Sequence, residues 1–229
     1  MSDFICGIDT GGTFTDCVVV DAAGRIVTAK APSTPEDFSQ GVLDSLGLAA
    51  GRLGLTTEAL LRRTSRLALG TTVGTNALLQ RRGARVGLIT TRGHRDVIHI
   101  MRGARGVPGV ASEQVLHFPE SSKPTPPIVP KTLIAEVSER VDCQGQVVVA
   151  LNEDEARAAV RRLVAKGVQS IAICFLWSFK HPDHERRVKA MVEEMAPGLF
   201  ASCSADLVPR WGEYERTAAT VINAYLGPV

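Results

Sequence analysis

Apolar and polar residues alternate at the start of the chain and then change to a helical period. Two short, β-branched apolar runs, residues 4–8 and 17–20, flank a polar turn, and a third, residues 25–30, follows the turn Asp21-Ala-Ala-Gly24. Period-two runs separated by turn residues predict three antiparallel strands. Thr34-Pro35-Glu36-Asp37 then reads as a helix start, with Thr34 as cap and Pro35 in the first turn, and Phe38, Val42 and Leu46 recur on one face. A short helix over 57–63 and a strand over 66–69 follow, the strand ending in Gly70-Thr71-Thr72. Next come a helix over 73–82, with Gly83 past its end, and a strand over 84–90.

The pattern loosens over residues 93–131, where glycines give way to Pro119, Pro124, Pro126, Pro127 and Pro130. Such a stretch predicts a long loop or an inter-lobe connection. Strands are expected over 132–140 and 146–150. Asn152-Glu-Asp-Glu155 reads as a capping box opening a helix that Lys166-Gly167 closes, before the apolar strand 168–175. A helix over 184–195, a strand over 199–203 and a long helix over 211–226 complete the chain. The organisation expected is a first sub-lobe over 1–92, a loop-rich connection over 93–131 and a second sub-lobe over 132–229 that ends in a hinge helix.

Composition narrows the class. At 229 residues, 45% hydrophobic and net charge +2, the chain can bury a substantial core. No apolar run approaches the roughly 20 residues of a membrane helix, and the N-terminus lacks a basic region followed by an apolar block. A cytoplasmic protein that does not engage a membrane is expected. Cys6, Cys17, Cys143, Cys174 and Cys203 are scattered and odd in number, as buried thiols in a reducing compartment would be. Near-neutral charge with 5% aromatics leaves no footprint for nucleic acid.

The chemistry concentrates in Ile8-Asp9-Thr10-Gly11-Gly12-Thr13-Phe14-Thr15-Asp16. Gly11 and Gly12 let backbone N–H groups approach an anion with no Cβ in the way, and an aligned set of such groups holds phosphate oxygens. Asp9 is placed to hold Mg²⁺ through water, and the Thr13 and Thr15 hydroxyls to donate to phosphate. Asp16 reads equally as a metal ligand or as a fastening of the hairpin. No Gly-Lys-Ser/Thr P-loop and no Gly-x-Gly-x-x-Gly is present, which removes P-loop kinases and Rossmann dehydrogenases.

Further candidates lie downstream. Gly70-Thr71-Thr72 at a strand end, with Thr75 and Asn76 after it, reads as a second wall of the site or as ordinary capping by Thr72. The segment from Arg92 to Arg105 is basic, and His94 is the preferred catalytic residue in it; a solvated basic loop is the plain alternative. Asp206, after the strand 199–203, is a candidate general base. His181 and His184 superficially suggest metal and are read as helix-start chemistry.

The segments Gly7-Ile-Asp-Thr-Gly-Gly-Thr-Phe-Thr-Asp16, Gly70-Thr-Thr-Val-Gly-Thr-Asn-Ala-Leu-Leu79, Gly87-Leu-Ile-Thr-Thr-Arg-Gly-His94, Pro127-Ile-Val-Pro130, Ser178-Phe-Lys-His-Pro-Asp-His-Glu185 and Glu213-Tyr-Glu-Arg-Thr217 with Asn223-Ala-Tyr-Leu-Gly-Pro228 occur in this order. Together they resemble the N-terminal region of the hydantoinase A, 5-oxoprolinase and acetone or acetophenone carboxylase family. The resemblance implies an α/β fold, the ribonuclease-H-like lobe of the actin-like ATPase superfamily, with a mixed sheet flanked by helices. It also implies ATP and Mg²⁺ as cofactors, with Thr10, Gly11, Gly12, Thr13, Thr15, Thr71 and Thr72 around the nucleotide, Asp9 and Asp16 at the metal, and Asp9, His94 and Asp206 in catalysis.

The implied activity is phosphorylation of an otherwise unreactive substrate oxygen. A cyclic-amide hydrolase is expected, with an ATP-dependent ketone carboxylase using bicarbonate as the alternative and a non-catalytic ATP-sensing module as a rival. Members of this family are usually far longer, and only one Asp-x-Gly-Gly-Thr turn is present. The expectation is therefore a truncated piece, or a hetero-oligomer completed by a second lobe or a hydantoinase B-like subunit.

Overall fold

A computed structural model describes residues 3–34, 37–101 and 127–228. The chain forms two compact units, Met1–Arg82 and Gly83–Val229. In the first, β1 (Phe4–Thr10), β2 (Phe14–Asp21) and β3 (Ile26–Pro32) run antiparallel, and β4 (Thr64–Thr71) pairs parallel with β1, giving the order β3-β2-β1-β4. The period-two pattern sets the faces: Phe4, Cys6, Ile8 and Thr10 point inward while Ile5 and Asp9 point to solvent. Helix α1 (Phe38–Arg52) covers the inner face. Small residues on its buried side, Gly41, Ser45, Ala49 and Ala50, let it lie close. A Cβ on Gly41 would stand 3.1 Å from both Pro32 O and Thr15 Oγ1, so α1 presses against the strands that carry the polar turn. Two short helices, α2 (Thr57–Arg62) and α3 (Val73–Leu79), complete the unit.

The second unit is built on a parallel sheet in the order β10 (Phe200–Cys203), β9 (Ser170–Cys174), β5 (Val86–Thr91), β6 (Ile134–Val137). Strands β5 and β9 are buried at every position, as strands covered by helices on both faces must be. Helices α5 (Glu153–Ala165), α6 (Asp183–Met195) and α8 (Glu213–Leu226) pack on it, α8 lying along β9 and β10. Short helices α4 (Val97–Ile100) and α7 (Ser204–Leu207) and a small hairpin of β7 (Arg140–Val141) and β8 (Val147–Val149) fill in the rest. Strand β5, expected with the first part of the chain, hydrogen-bonds to β6 and β9 and so belongs to the second unit.

Several local expectations change. Asp37, not Thr34, caps α1: its carboxylate accepts from Ser39 N at 3.0 Å, while the Thr34 hydroxyl donates to Asp37 O and accepts from Gly41 N. The run 132–140 divides into a 3-10 turn, β6 and β7. Asn152 caps α5 through Glu155 N at 3.1 Å, but the Glu155 carboxylate accepts from Ser138 N at 2.8 Å instead of closing the box. Of the predicted connection, residues 102–126 lie outside the described residues.

Buried polar groups fasten α6, α7 and α8 to the sheet. The wholly buried Glu185 carboxylate accepts from Phe175 N at 2.7 Å, Ser204 Oγ at 2.6 Å and Ala205 N at 2.8 Å. Burial pushes this carboxyl above the usual range and the donors pull it back. Arg216 on α8 is buried as well. It donates to Ser178 Oγ at 3.0 Å and to Phe175 O, and Ser178 contacts Ser204 at 3.2 Å, so carboxylate and guanidinium are joined through two serines. Cys6, Cys17, Cys174 and Cys203 are buried free thiols and Cys143 is exposed; burial raises Cys17 to about 11. No helix among the described residues is long and apolar enough to cross a membrane.

Candidate functional site

The polar turn is the tip of the β1–β2 hairpin, closed by Gly11 N donating to Phe14 O at 3.0 Å. Ser33 anchors it from β3's far end: its N–H donates to Thr13 O at 2.9 Å and its hydroxyl to Gly11 O at 2.8 Å. The carbonyls of Gly11, Thr13 and Phe14 are thus occupied, while no group among the described residues accepts from the amides of Gly12 and Thr13. A Cβ at Gly11 would meet Phe14 O at 3.1 Å, so the closed tip leaves little room for a side chain there.

Strand register places the acidic residues together. Asp9 lies directly across from Asp16, and Asp16 across from Lys30, so the three side chains form one row on the outer face. Lys30 Nζ holds the Asp16 carboxylate at 2.8 Å. On Asp9's other side the register partner is Gly70, and a Cβ there would be 3.7 Å from Asp9 Oδ1. Asp9 therefore keeps an open flank and, among the described residues, no bonded cation, whereas Asp16 is paired. Two adjacent carboxylates beside open amides match what Mg²⁺ and a phosphate chain require, because Mg²⁺ takes one or two carboxylates and keeps water and phosphate oxygens for the rest. Among the described residues no three His, Cys, Asp or Glu side chains form a metal cluster.

The threonines divide by face. Thr13 is exposed at the tip. Thr10 and Thr15 face inward and are buried; Thr15 Oγ1 bonds Ser33 Oγ at 3.0 Å, fastening the hairpin, and the Thr10 hydroxyl has no partner among the described residues. Thr71 and Thr72 stand at the end of β4, next to the tip: Thr72 N donates to Thr10 O at 3.2 Å and Thr71 Oγ1 to the same oxygen at 3.3 Å. Thr72 does not cap α3 with its side chain; instead its hydroxyl accepts from Asn76 Nδ2 at 3.3 Å, and that amide lies 3.6 Å from where a Cβ of Gly12 would be. Asp9, Asp16, Gly11, Gly12, Thr13, Thr71, Thr72 and Asn76 are thereby brought to one end of one sheet.

His94 lies in the second unit, following β5, with its N–H donating to Thr91 O at 3.1 Å. Its Nε2 accepts from Arg140 Nη1 at 3.4 Å, and burial together with that guanidinium pulls the imidazole below its usual 6.5. It borders a cavity of about 510 Å³ with Arg140, Leu176, Trp177, Trp211 and Glu213. Asp206 does not line this cavity; it sits on α7 in an exposed ion pair with Arg186 at 2.8 Å. His184 is buried against Glu139 at 2.9 Å and His181 leans on Asp183 at 3.6 Å, so neither faces an open site as a pair of ligands. Sequence reading missed Lys30, Arg140, Glu213 and the tryptophans. The β2–β3 register contained the signal for Lys30; nothing local signalled the others, which come together only across long separations.

The hydantoinase/oxoprolinase N-terminal region matches residues 5–196. The acetophenone carboxylase gamma subunit of Aromatoleum aromaticum is 40% identical over 96% of this chain and 30% of its own length. Among solved structures, nucleotide-free acetone carboxylase superposes with TM-score 0.90 at 33% identity, over 100% of this chain and 33% of that one. The ATP-dependent caprolactamase of Pseudomonas jessenii gives 0.81 at 36% identity, over 97% and 31%. The chain thus spans about a third of the length of these relatives. By its match across most of its length, the chain belongs to the hydantoinase/oxoprolinase N-terminal family.

Proposed function

We propose that this chain is the ATP-handling N-terminal part of an enzyme that phosphorylates an oxygen of a small substrate, a cyclic-amide hydrolase of the hydantoinase A or oxoprolinase type. The carrying observation is the cross-strand pair Asp9 and Asp16 beside the open amides of Gly12 and Thr13. ATP with Mg²⁺ supplies a transferable phosphoryl group that turns an unreactive amide or enolate oxygen into a leaving group or trap. This chain's part is positioning and charge neutralisation, which is most of what phosphoryl transfer asks of protein. Asp9 holds the metal, with Asp16 kept in place by Lys30; the tip amides, Thr13, Thr71 and Thr72 hold phosphate oxygens. The β3-β2-β1-β4 order with α1 across it supports reading the first unit as the ribonuclease-H-like lobe of the actin-like ATPases. A second lobe or a hydantoinase B-like subunit completes the enzyme in the cytoplasm.

A ketone carboxylase using bicarbonate is the second reading, favoured by the likeness to acetone and acetophenone carboxylases. Incubating the full-length enzyme and its partner with ATP and, in turn, hydantoin, oxoproline, caprolactam, or acetone with bicarbonate separates them. Phosphate release that needs a cyclic amide is expected. Release that needs ketone and bicarbonate moves the assignment to the carboxylases, and substrate-independent turnover contradicts both in favour of an ATP-sensing module.

A further inference from the structure

The second unit carries a basic groove that the phosphate chemistry does not use. Strand β6 is the outer strand of its sheet, and beside it, against α5, lies a cavity of about 310 Å³, at the small end of the range for ligand sites. Ala135, Ala158 and Ala159 keep its floor low, and its polar wall consists of three guanidinium groups, Arg92, Arg95 and Arg162, with two carboxyl groups, Glu136 and Glu155. Both carboxyl groups are engaged. Glu155 accepts from Ser138 N at 2.8 Å and from Arg92 Nη2 at 2.8 Å, and Glu136 accepts from Gly93 N at 2.7 Å. Arg95 and Arg162 have no carboxylate partner among the described residues: Arg95 Nη2 donates to Lys131 O at 3.3 Å and Arg162 Nη2 to Ile134 O at 2.8 Å. These carbonyls stand at the start of the 3-10 turn Lys131–Leu133 and just past its end, so both guanidinium groups are tethered to one short stretch of backbone. Each retains further N–H groups with no acceptor among the described residues.

The sign of the groove is fixed by residue type. A guanidinium group stays protonated in proteins, so the wall carries three positive charges against at most two negative ones, and Arg95 and Arg162 supply the surplus. An extended peptide adding to the β6 edge is disfavoured, because Arg162 and Lys166 already take the carbonyls such a strand would pair with, Ile134 O at 2.8 Å and Thr132 O at 2.7 Å. A small molecule meets no such obstacle. Planar guanidinium groups with spare N–H donors match the oxygens of a carboxylate or a phosphate, and the alanine floor accepts a short apolar body. We propose that this groove binds a small organic oxyanion, its carboxylate or phosphate held between Arg95 and Arg162 and its apolar part lying over Ala135, Ala158 and Ala159. The groove belongs wholly to the second unit, whereas the hairpin belongs to the first, and binding here needs no nucleotide.

Two-dimensional amide NMR of the unmodified 229-residue chain tests this, with inorganic phosphate, propionate and neutral propionamide as probes and sodium chloride holding the ionic strength constant, so that general screening is the same throughout. Saturable shifts of the amides of residues 134–136 and 158–162 with propionate or phosphate are expected, with a dissociation constant on the order of millimolar, while propionamide leaves them unmoved. The anion that binds more tightly identifies the headgroup. Arg95→Gln and Arg162→Gln should each weaken binding about threefold, the size of one exposed charge pair, and the double variant should weaken it further. No saturable shift up to about 50 mM, well above millimolar dissociation constants, overturns the proposal. So do shifts confined to residues 10–13, an equal response to propionamide, or unchanged affinity in the double variant. If a variant misfolds, the comparison of charged and neutral probes on the unmodified chain still decides.

Discussion

At the scale of single residues, identical side chains take different roles according to their immediate neighbours. Thr13 and Thr15 are two positions apart, yet Thr13 is exposed at the tip while Thr15 is buried on Ser33. Asp9 and Asp16 look alike in sequence, but Lys30 claims Asp16 and leaves Asp9 with the open flank beside Gly70. His94 gives a residue-scale prediction. Its lowered value favours the neutral ring in the fold, so its contribution to stability is fully present above about 6.5 and is lost as pH falls through the folded value. An NMR titration should place its midpoint below 6.5, and His94→Gln should flatten the decline of the unfolding midpoint over that acidic window; a midpoint above 6.5 contradicts the geometry with Arg140.

At the scale of elements, strands and helices were largely legible because their periods are strong: β1, β2 and β9 come within a few residues of the predicted runs, and the long final helix is present as α8. What sequence could not show is the long-range polar bonding. Nothing local in the sequence marks Glu185 or Arg216 as buried, yet the fold buries both because Ser178, Ser204, the 175 and 205 amides and the Phe175 carbonyl supply their partners. The same blindness hid the Arg140–Glu213 cavity, whose members are separated by tens of residues. The buried network makes a clear prediction. Glu185→Ala leaves two amides and a hydroxyl without acceptors, which should cost about 3 kcal/mol, and Glu185→Gln, keeping one acceptor oxygen, should cost less. Urea unfolding followed by tryptophan fluorescence reads the second unit, which holds both tryptophans; equal stability of all three proteins would show that the network is dispensable.

At the scale of the whole molecule, the hairpin proposed to hold phosphates lies in Met1–Arg82, while the His94 cavity lies in Gly83–Val229. Fold likeness alone leaves the acceptor open. The hairpin was readable from nine consecutive residues because its chemistry is local; the cavity beside His94 was not, because it is assembled by topology. The central claim is that Asp9 anchors the metal-bound phosphates. Phosphate release by the full-length enzyme with its partner, saturated with ATP, Mg²⁺ and the substrate it prefers, tests this most directly when Asp9→Asn is compared with the unaltered protein. Turnover should fall by about a thousandfold or more, as when a charge-stabilising group is removed from a transition state, with circular dichroism and unfolding midpoint unchanged; a variant that folds normally and keeps its full rate would contradict the account.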